Sequence, residues 1–348
     1  MKRLSFLFFA CFFCLLCFQA DAGELENIKK RGYLTCGVRG VAGLGIDDAN
    51  GDFSGFEVDI CKAVAISIFG DSAKTKFVKV NVKERFDDLK NGKYDVLLGM
   101  TTINFNRSVI DGVLPAINVF YDTQLVLAKN SLNVDSLDGL INTKKKLKVC
   151  FLEGNNAKDN FINYLSSRNL KLDYIKSFYK QNDFLSSKTV TSCDLIVNDS
   201  LLLMSYKASN PYITDNDYSY MSDVISFDAL AMFVRDDKKM VRTVKIAFDT
   251  MLIAEQMGIS SKNIDKRLAS NTSNYEMQSL YGNGNSLFQK KGLAENFAYN
   301  IVKNIGNYAE VYDKNIGDKT SFKVPRKYNH LVKDGGVMYS PSVGVLPE

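Results

Sequence analysis

The chain has 348 residues, 46% of them hydrophobic and 24% charged, and Lys plus Arg exceeds Asp plus Glu by only five. So mild an excess argues against nucleic acid as a partner, which asks for a clustered basic surface, and the length allows two domains or one large one. A single histidine, His330, and the lack of a close Cys-x-x-Cys pair among Cys36, Cys61, Cys150 and Cys193 leave no zinc centre to expect.

In chain order, Lys2 and Arg3 precede an apolar run from Leu4 to Phe18 that is too short to span a bilayer. Ala20-Asp-Ala22 then offers the small-x-small pattern of a cleavage site. Residues 1–22 are therefore expected to be a signal peptide, and the exported remainder to be soluble. Cys36, Cys61, Cys150 and Cys193 follow it. Four cysteines in an exported chain allow three connectivities; proximity and domain logic favour Cys36 with Cys61 and Cys150 with Cys193. Each bridge would restrict the unfolded chain by roughly 3 to 4 kcal/mol on the loop-entropy model.

Leu34 to Val38 reads as a strand, and Phe56 to Phe69 as a helix with Phe56, Ile60, Ala63 and Val64 on one face. Phe77, Val78 and Val80 make the next strand, Phe86 and Leu89 mark a short helix that ends at Gly92, and Tyr94 to Leu98 reads as a buried strand. This βαβαβ character predicts an α/β layer fold. A second cycle starts at Leu147 to Phe151, passes a turn at Gly154-Asn-Asn156 and a helix from Ala157 to Ser166, and reaches Cys193 to Val197. Gln124 to Ala128 and Ala229 to Val234 flank it as apolar extended segments. If both cross between halves, they form a hinge on which two lobes close. Beyond Lys239 the pattern is helical, and Leu293, Phe297, Ile301, Ile305 and Tyr308 form one amphipathic stripe, expected to be packing surface.

Gly99-Met-Thr-Thr-Ile-Asn-Phe-Asn-Arg107 carries the chemistry. It leaves an apolar strand at its carboxyl end, where ligands bind in open α/β sheets, and it supplies hydroxyls, backbone groups and one guanidinium suited to a small carboxylate. On residue types alone other readings stay open. Arg107 is equally a surface arginine, Asp199 a cap for a helix starting near Ser200, and Asn155 and Asn156 plain turn residues.

Gly55-Phe-Glu-Val-Asp59, Tyr94-Asp-Val before a Thr-Thr turn ending in Arg107, Gly154-Asn-Asn156 and Cys193-Asp-Leu-Ile-Val-Asn-Asp199 occur in this order along the exported chain. Together they resemble the family 3 solute-binding proteins of polar amino-acid ABC importers. The four cysteines, Lys83-Glu-Arg-Phe86, Asn296 to Ile301, Gly306-Asn-Tyr308 and Gly335-Gly-Val resemble its general L-amino-acid-binding subgroup. The resemblance implies a two-lobed α/β fold of the type II periplasmic-binding-protein kind, its hinge made of two crossing strands. Lobe 1 is expected to hold residues 23–128 and 225–348, with a helical extension, and lobe 2 residues 129–224. It also implies a periplasmic monomer that binds an L-amino acid without a cofactor and hands it to a membrane ABC permease.

Carried over to this sequence, the resemblance gives Arg107 the ligand's α-carboxylate through a bidentate contact, with Thr102 beside it. The carbonyl of Met100 and the carboxylate of Asp199 take the ammonium, and the Asn155-Asn156 turn offers backbone N–H groups at a helix N-terminus. Leu44, in Ala42-Gly-Leu44, occupies a pocket edge where the family usually carries an aromatic. Met100-Thr-Thr-Ile103, Gly154-Asn-Asn156 and Phe227-Asp-Ala-Leu-Ala231 also depart from the family pattern, which points to an altered pocket wall. Two alternatives remain: an enzyme of the same fold, akin to cyclohexadienyl dehydratase, and a ligand sensor no longer coupled to transport.

Overall fold

Alternating apolar strands and helices need covering layers on a sheet, and that is how the chain arranges itself. The computed structural model describes residues 23–141, 146–180, 182–183, 188–282 and 286–344; the expected signal peptide lies outside them. After α1 (Glu24–Arg31), the first half runs β1 (Leu34–Val38), the small ribbon β2 (Ile46–Asp47) and β3 (Phe53–Ser54), α2 (Phe56–Phe69), β4 (Thr75–Lys79), α3 (Arg85–Lys90), β5 (Val96–Leu97) and α4 (Phe105–Ser108). The long β6 (Val113–Lys129) leads to α5 (Leu137–Ile141), β7 (Leu147–Leu152), α6 (Ala157–Ser167), β8 (Tyr174–Tyr179), β9 (Leu195–Asp199), α7 (Ser200–Ser209) and β10 (Tyr218–Tyr220). The chain returns through β11 (Ser226–Arg235) to α8 (Lys238–Gln256), α9 (Ile264–Ser270), α10 (Tyr275–Tyr281), α11 (Ser286–Lys290), α12 (Phe297–Asn304) and α13 (Tyr308–Asn315).

The strands form a nine-stranded sheet in the order β4-β1-β5-β11-β6-β9-β7-β8, with β10 beside β6. β1 pairs in parallel with β4 and β5, and β7 in parallel with β8 and β9, so each end of the sheet is a separate α/β unit. The antiparallel pair β6 and β11 joins them. The two segments expected to cross between lobes are these two strands. Disulfides join Cys36 to Cys61 and Cys150 to Cys193, one staple in each unit.

Two sequence expectations change in detail. Helix α2 buries all but two of its fourteen residues rather than one face, because it lies between the sheet and α8, α12 and α13; an apolar helix covered on several sides has no solvent stripe. The stripe from Leu293 to Tyr308 is interrupted. Gly306 takes φ +111°, α12 ends at Asn304, and Asn307 opens α13 with a capping box to Glu310. The residues still pack on the core, but Phe297 and Ile301 lie on α12 and Tyr308 on α13, while Leu293 and Ile305 flank α12.

The C-terminal segment also serves β6. β9 pairs with β6 only over Gln124 to Ala128, leaving the same edge of β6 without a strand partner further back. There the Asn329 side chain accepts from the Tyr121 amide at 2.7 Å and donates to its carbonyl at 2.9 Å. The Tyr308 hydroxyl donates to the Val119 carbonyl at 3.0 Å. Side chains thus satisfy backbone groups that would otherwise be costly to bury.

Candidate functional site

Glu57 organises one wall of the site. Its buried carboxylate, on the first turn of α2, accepts from the amides of Arg39 and Met100, each at 2.6 Å. It thereby ties the loops after β1 and β5 to one helix. Burial pushes this carboxyl up to about 7, against the opposing pull of the two N–H donors. Gly99 and Met100 turn with φ of 55° and 48°, and the left-handed conformation costs a methionine about 1 to 2 kcal/mol. The Glu57 bond helps hold it. Beyond the turn, the segment is laid along β11: Ala231 donates to the Thr101 carbonyl at 3.0 Å, and Ile103 to the Ala229 carbonyl at 2.9 Å.

Arg107 follows on the short α4, whose first turn Asn104 caps by accepting from the Arg107 amide at 2.9 Å. Its Nη1 donates to the Thr102 carbonyl at 2.7 Å, and its Nη2 reaches Asn156 Oδ1 on the opposite unit at 3.4 Å. Arg39 and Arg85, both buried, complete a cationic wall. Phe86 lies between Arg85 and Arg107, its ring centre 5.6 and 5.9 Å from the two guanidinium carbons, a cation–π arrangement. Burial, reinforced by the Arg107 and Arg39 charges, lowers Arg85 to about 9, and burial also lowers Arg107.

The facing wall is anionic and is built by strand register. Asp228 on β11 lies opposite Asp122 on β6, and Gln124, two residues on and therefore on the same face, lies opposite Asp199 on β9. Asp199 stands at the N-cap position of α7 but makes no side-chain capping bond. Asp122 does that work instead, accepting from the Ser200 hydroxyl and from the Leu201 amide. The Asp199 carboxylate is therefore left for the space between the walls. Burial first, then the Asp122 and Asp228 charges, raise it to about 7, with Arg39 and Arg107 opposing. Burial likewise lifts Asp122 to about 6.

Between the walls the two units meet closely. Lys83 pairs with Glu153 at 2.9 Å, and the Ser205 hydroxyl donates to the Ala42 carbonyl at 2.7 Å. The cavity between them is about 20 Å³, room for about one water. An amino acid does not fit this space unless the units move apart.

Of the residues expected from sequence, Arg107, Asp199, Thr102, Met100, Asn155 and Asn156 all line this cavity. Asn155 is largely committed to its own fold: its Nδ2 donates to Asn198 at 2.8 Å, and its Oδ1 accepts from the Ala157 amide at 3.1 Å. Leu44 is not among the lining residues. It is fully buried in the core, and its carbonyl accepts from the Glu57 amide at 2.8 Å, so it seats the start of α2 instead of edging the pocket. Sequence reasoning missed Arg39, Arg85, Asn160 and Asp228, which also line the space. Arg85 stood in the Lys83-Glu-Arg-Phe86 segment and Asp228 in the Phe227-Asp-Ala segment. Neither segment by itself assigns these residues a role in binding.

Comparison with known proteins agrees with this architecture. The model of the bacterial extracellular solute-binding proteins, family 3, matches residues 34–281. The general L-amino acid-binding periplasmic protein AapJ of Rhizobium johnstonii is 31% identical, covering 93% of this chain and 94% of its own. The glutamate/glutamine/aspartate/asparagine-binding protein BztA of Rhodobacter capsulatus is 32% identical, over 98% and 99%. Among solved structures, an ABC transporter periplasmic binding protein from Brucella ovis, with glutathione bound, superposes with a TM-score of 0.84 at 28% identity, over 93% of this chain and 100% of that one. The fold is the two-lobed type II fold of periplasmic binding proteins, and the chain belongs to the bacterial extracellular solute-binding proteins, family 3.

Proposed function

We propose that the protein binds the zwitterionic head of an L-α-amino acid between its lobes and delivers it to an ABC-type importer. The observation that carries this is the opposition of charge across one small space: Arg39, Arg85 and Arg107 on one side, Asp199 and Asp228 on the other. The α-carboxylate goes to Arg107 and Thr102 by charge-assisted bonds, and the ammonium to Asp199 with the Met100 carbonyl. Lobe 1 (residues 23–128 and 225–348) and lobe 2 (129–224) hinge on β6 and β11. Because only the closed form offers both walls, ligand shifts the equilibrium toward it. Residues 1–22 act as a cleaved signal peptide, so that the mature monomer works in the periplasm with a membrane permease as its partner. No helix among the described residues is long and apolar enough to cross a membrane.

Binding, not catalysis, is the reading that the names of the relatives support. The Brucella neighbour adds one chemical hint: glutathione ends in a γ-glutamyl group, whose α-ammonium and α-carboxylate are both free. The test is thermal unfolding against the twenty amino acids. Stabilisation follows RT ln(1 + [L]/Kd), about 2.7 kcal/mol at a hundredfold excess over Kd. At least one amino acid should stabilise the protein, and Arg107→Ala should remove the effect. Consumption of a prephenate-like acid with no amino-acid binding would overturn the proposal.

A further inference from the structure

A second space adjoins the charged cage. It is about 680 Å³, and Arg39 and Val82 line both spaces. Its other walls come from the carboxyl ends of the outer strands: Lys79 closes β4, Leu152 ends β7 with Glu153 just after it, and Lys180 follows β8. A ligand held by the cage therefore has one roomy direction in which to extend, outward along the sheet past Arg39. Openings at the carboxyl ends of parallel strands are where α/β sheets take ligands, and this volume lies within the usual range for a small-molecule site. It far exceeds what one amino-acid side chain fills.

The charge of this second space is one-sided. Arg39, Lys79, Lys83 and Lys180 line it, against the single acid Glu153. Glu153 pairs with Lys83 at 2.9 Å, and Lys79 pairs with Asp47 from just outside the lining. Lys180 makes no ion pair among the described residues. The unbalanced charge favours an anionic group at the far end of the ligand.

Covalent chemistry then narrows the class. The cage takes the ammonium and the carboxylate of the same α-carbon, so neither can be tied up in a peptide bond. An ordinary α-linked peptide has no residue with both groups free. A chain can leave this cage only through a side chain, as in a γ-glutamyl or β-aspartyl linkage. Resting on the zwitterion reading above, we propose that the protein's ligand class includes side-chain-linked acidic peptides: an α-amino-acid head in the cage, and a terminal carboxylate among Lys79, Lys83 and Lys180.

Titration calorimetry on the whole exported chain tests this with four probes: L-glutamate, γ-glutamylglycine, its α-linked isomer, and γ-glutamylglycine amide. The γ-linked acid should bind, the α-linked isomer should bind at least about tenfold more weakly, and the amide on the order of fivefold more weakly than the acid. In Lys79→Gln/Lys180→Gln the acid-to-amide ratio should fall toward one. Glutathione, longer by one residue, should bind with the same dependence on these lysines. If free amino acids bind and no γ-linked peptide does, the inference is wrong and the zwitterion cage stands; if the two isomers bind alike, the inference is wrong and so is a cage that requires both groups of one α-carbon. If neither a free amino acid nor a γ-linked peptide binds, both readings fall.

Discussion

The two walls of the cage are made in different ways. The cationic wall is local in origin: Gly99 to Arg107 is one continuous segment, Arg85 lies a few residues from Val82, and Glu57 fastens Met100 and Arg39 by their backbones. The anionic wall has no local origin. Asp122, Asp199 and Asp228 come from three strands far apart in sequence, and only the pairing of β11, β6 and β9 sets them side by side. The first wall can change by altering a loop, whereas the second is as rigid as the sheet and holds like charges at close quarters. Its carboxylates are costly to ionise there even with Arg39 and Arg107 nearby, and on the proposed reading an ammonium ligand relieves part of that cost.

Asp199→Asn should separate the walls most sharply. Ligand affinity should fall by on the order of a hundredfold, because removing one partner of a desolvated charge pair costs several kcal/mol. The ligand-free variant should nevertheless melt higher than the parent above pH 7, since a desolvated charge among acids is gone. A lower melting temperature would mean that Asp199 is a structural cap after all. Next in size is the dependence on pH. Glu57, Asp122 and Asp199 have folded-state values raised above the ordinary carboxylate range, so between roughly pH 4 and 7 the native state holds more protons than the unfolded one. The stability contributed by these groups is fully present at the acid end and is lost as pH rises through about 7. Affinity should run the other way, strengthening up to about pH 7, because an ammonium selects ionised Asp199. Calorimetry in buffers of different ionisation enthalpy should register protons released on binding, and none released would remove Asp199 from the ammonium site. The smallest effect belongs to Asn156→Ala. Its contact with Arg107 is long, 3.4 Å, so loss of it should weaken binding by no more than about threefold; a much larger loss would move Asn156 among the direct ligand contacts.

What could be read from the sequence follows the same division. Arg107, Thr102 and Met100 were legible because a strand, a turn and a basic residue follow one another within one segment. Asp199 was legible as a cavity residue through its motif, although its position before α7 suited a cap equally well, and the capping bonds go to Asp122 instead. Asp122 and Asp228 were not legible, since register between distant strands leaves no mark in a local window. Leu44 misled for a related reason. Its neighbours match a pocket edge in order, but its side chain turns into the core beneath α2. The stripe from Leu293 to Tyr308 was legible as packing surface, whereas its break was not, because its apolar residues keep their spacing past one left-handed glycine.

The bonds from Asn329 and Tyr308 to β6 bear on how the lobes move. Both residues lie beyond residue 281, where the match to the family model ends, yet they grip the crossing strand between its two functional stretches. They act as a splint on one of the two hinge strands, so a twist of β6 near Val119 and Tyr121 must bend or release those bonds. The stiffness of closure is then set partly by the chain's last sixty or so residues. Two relatives with the same cage but different tails can thus grip the same head group with different affinity, because each spends a different part of its binding energy on bending the hinge.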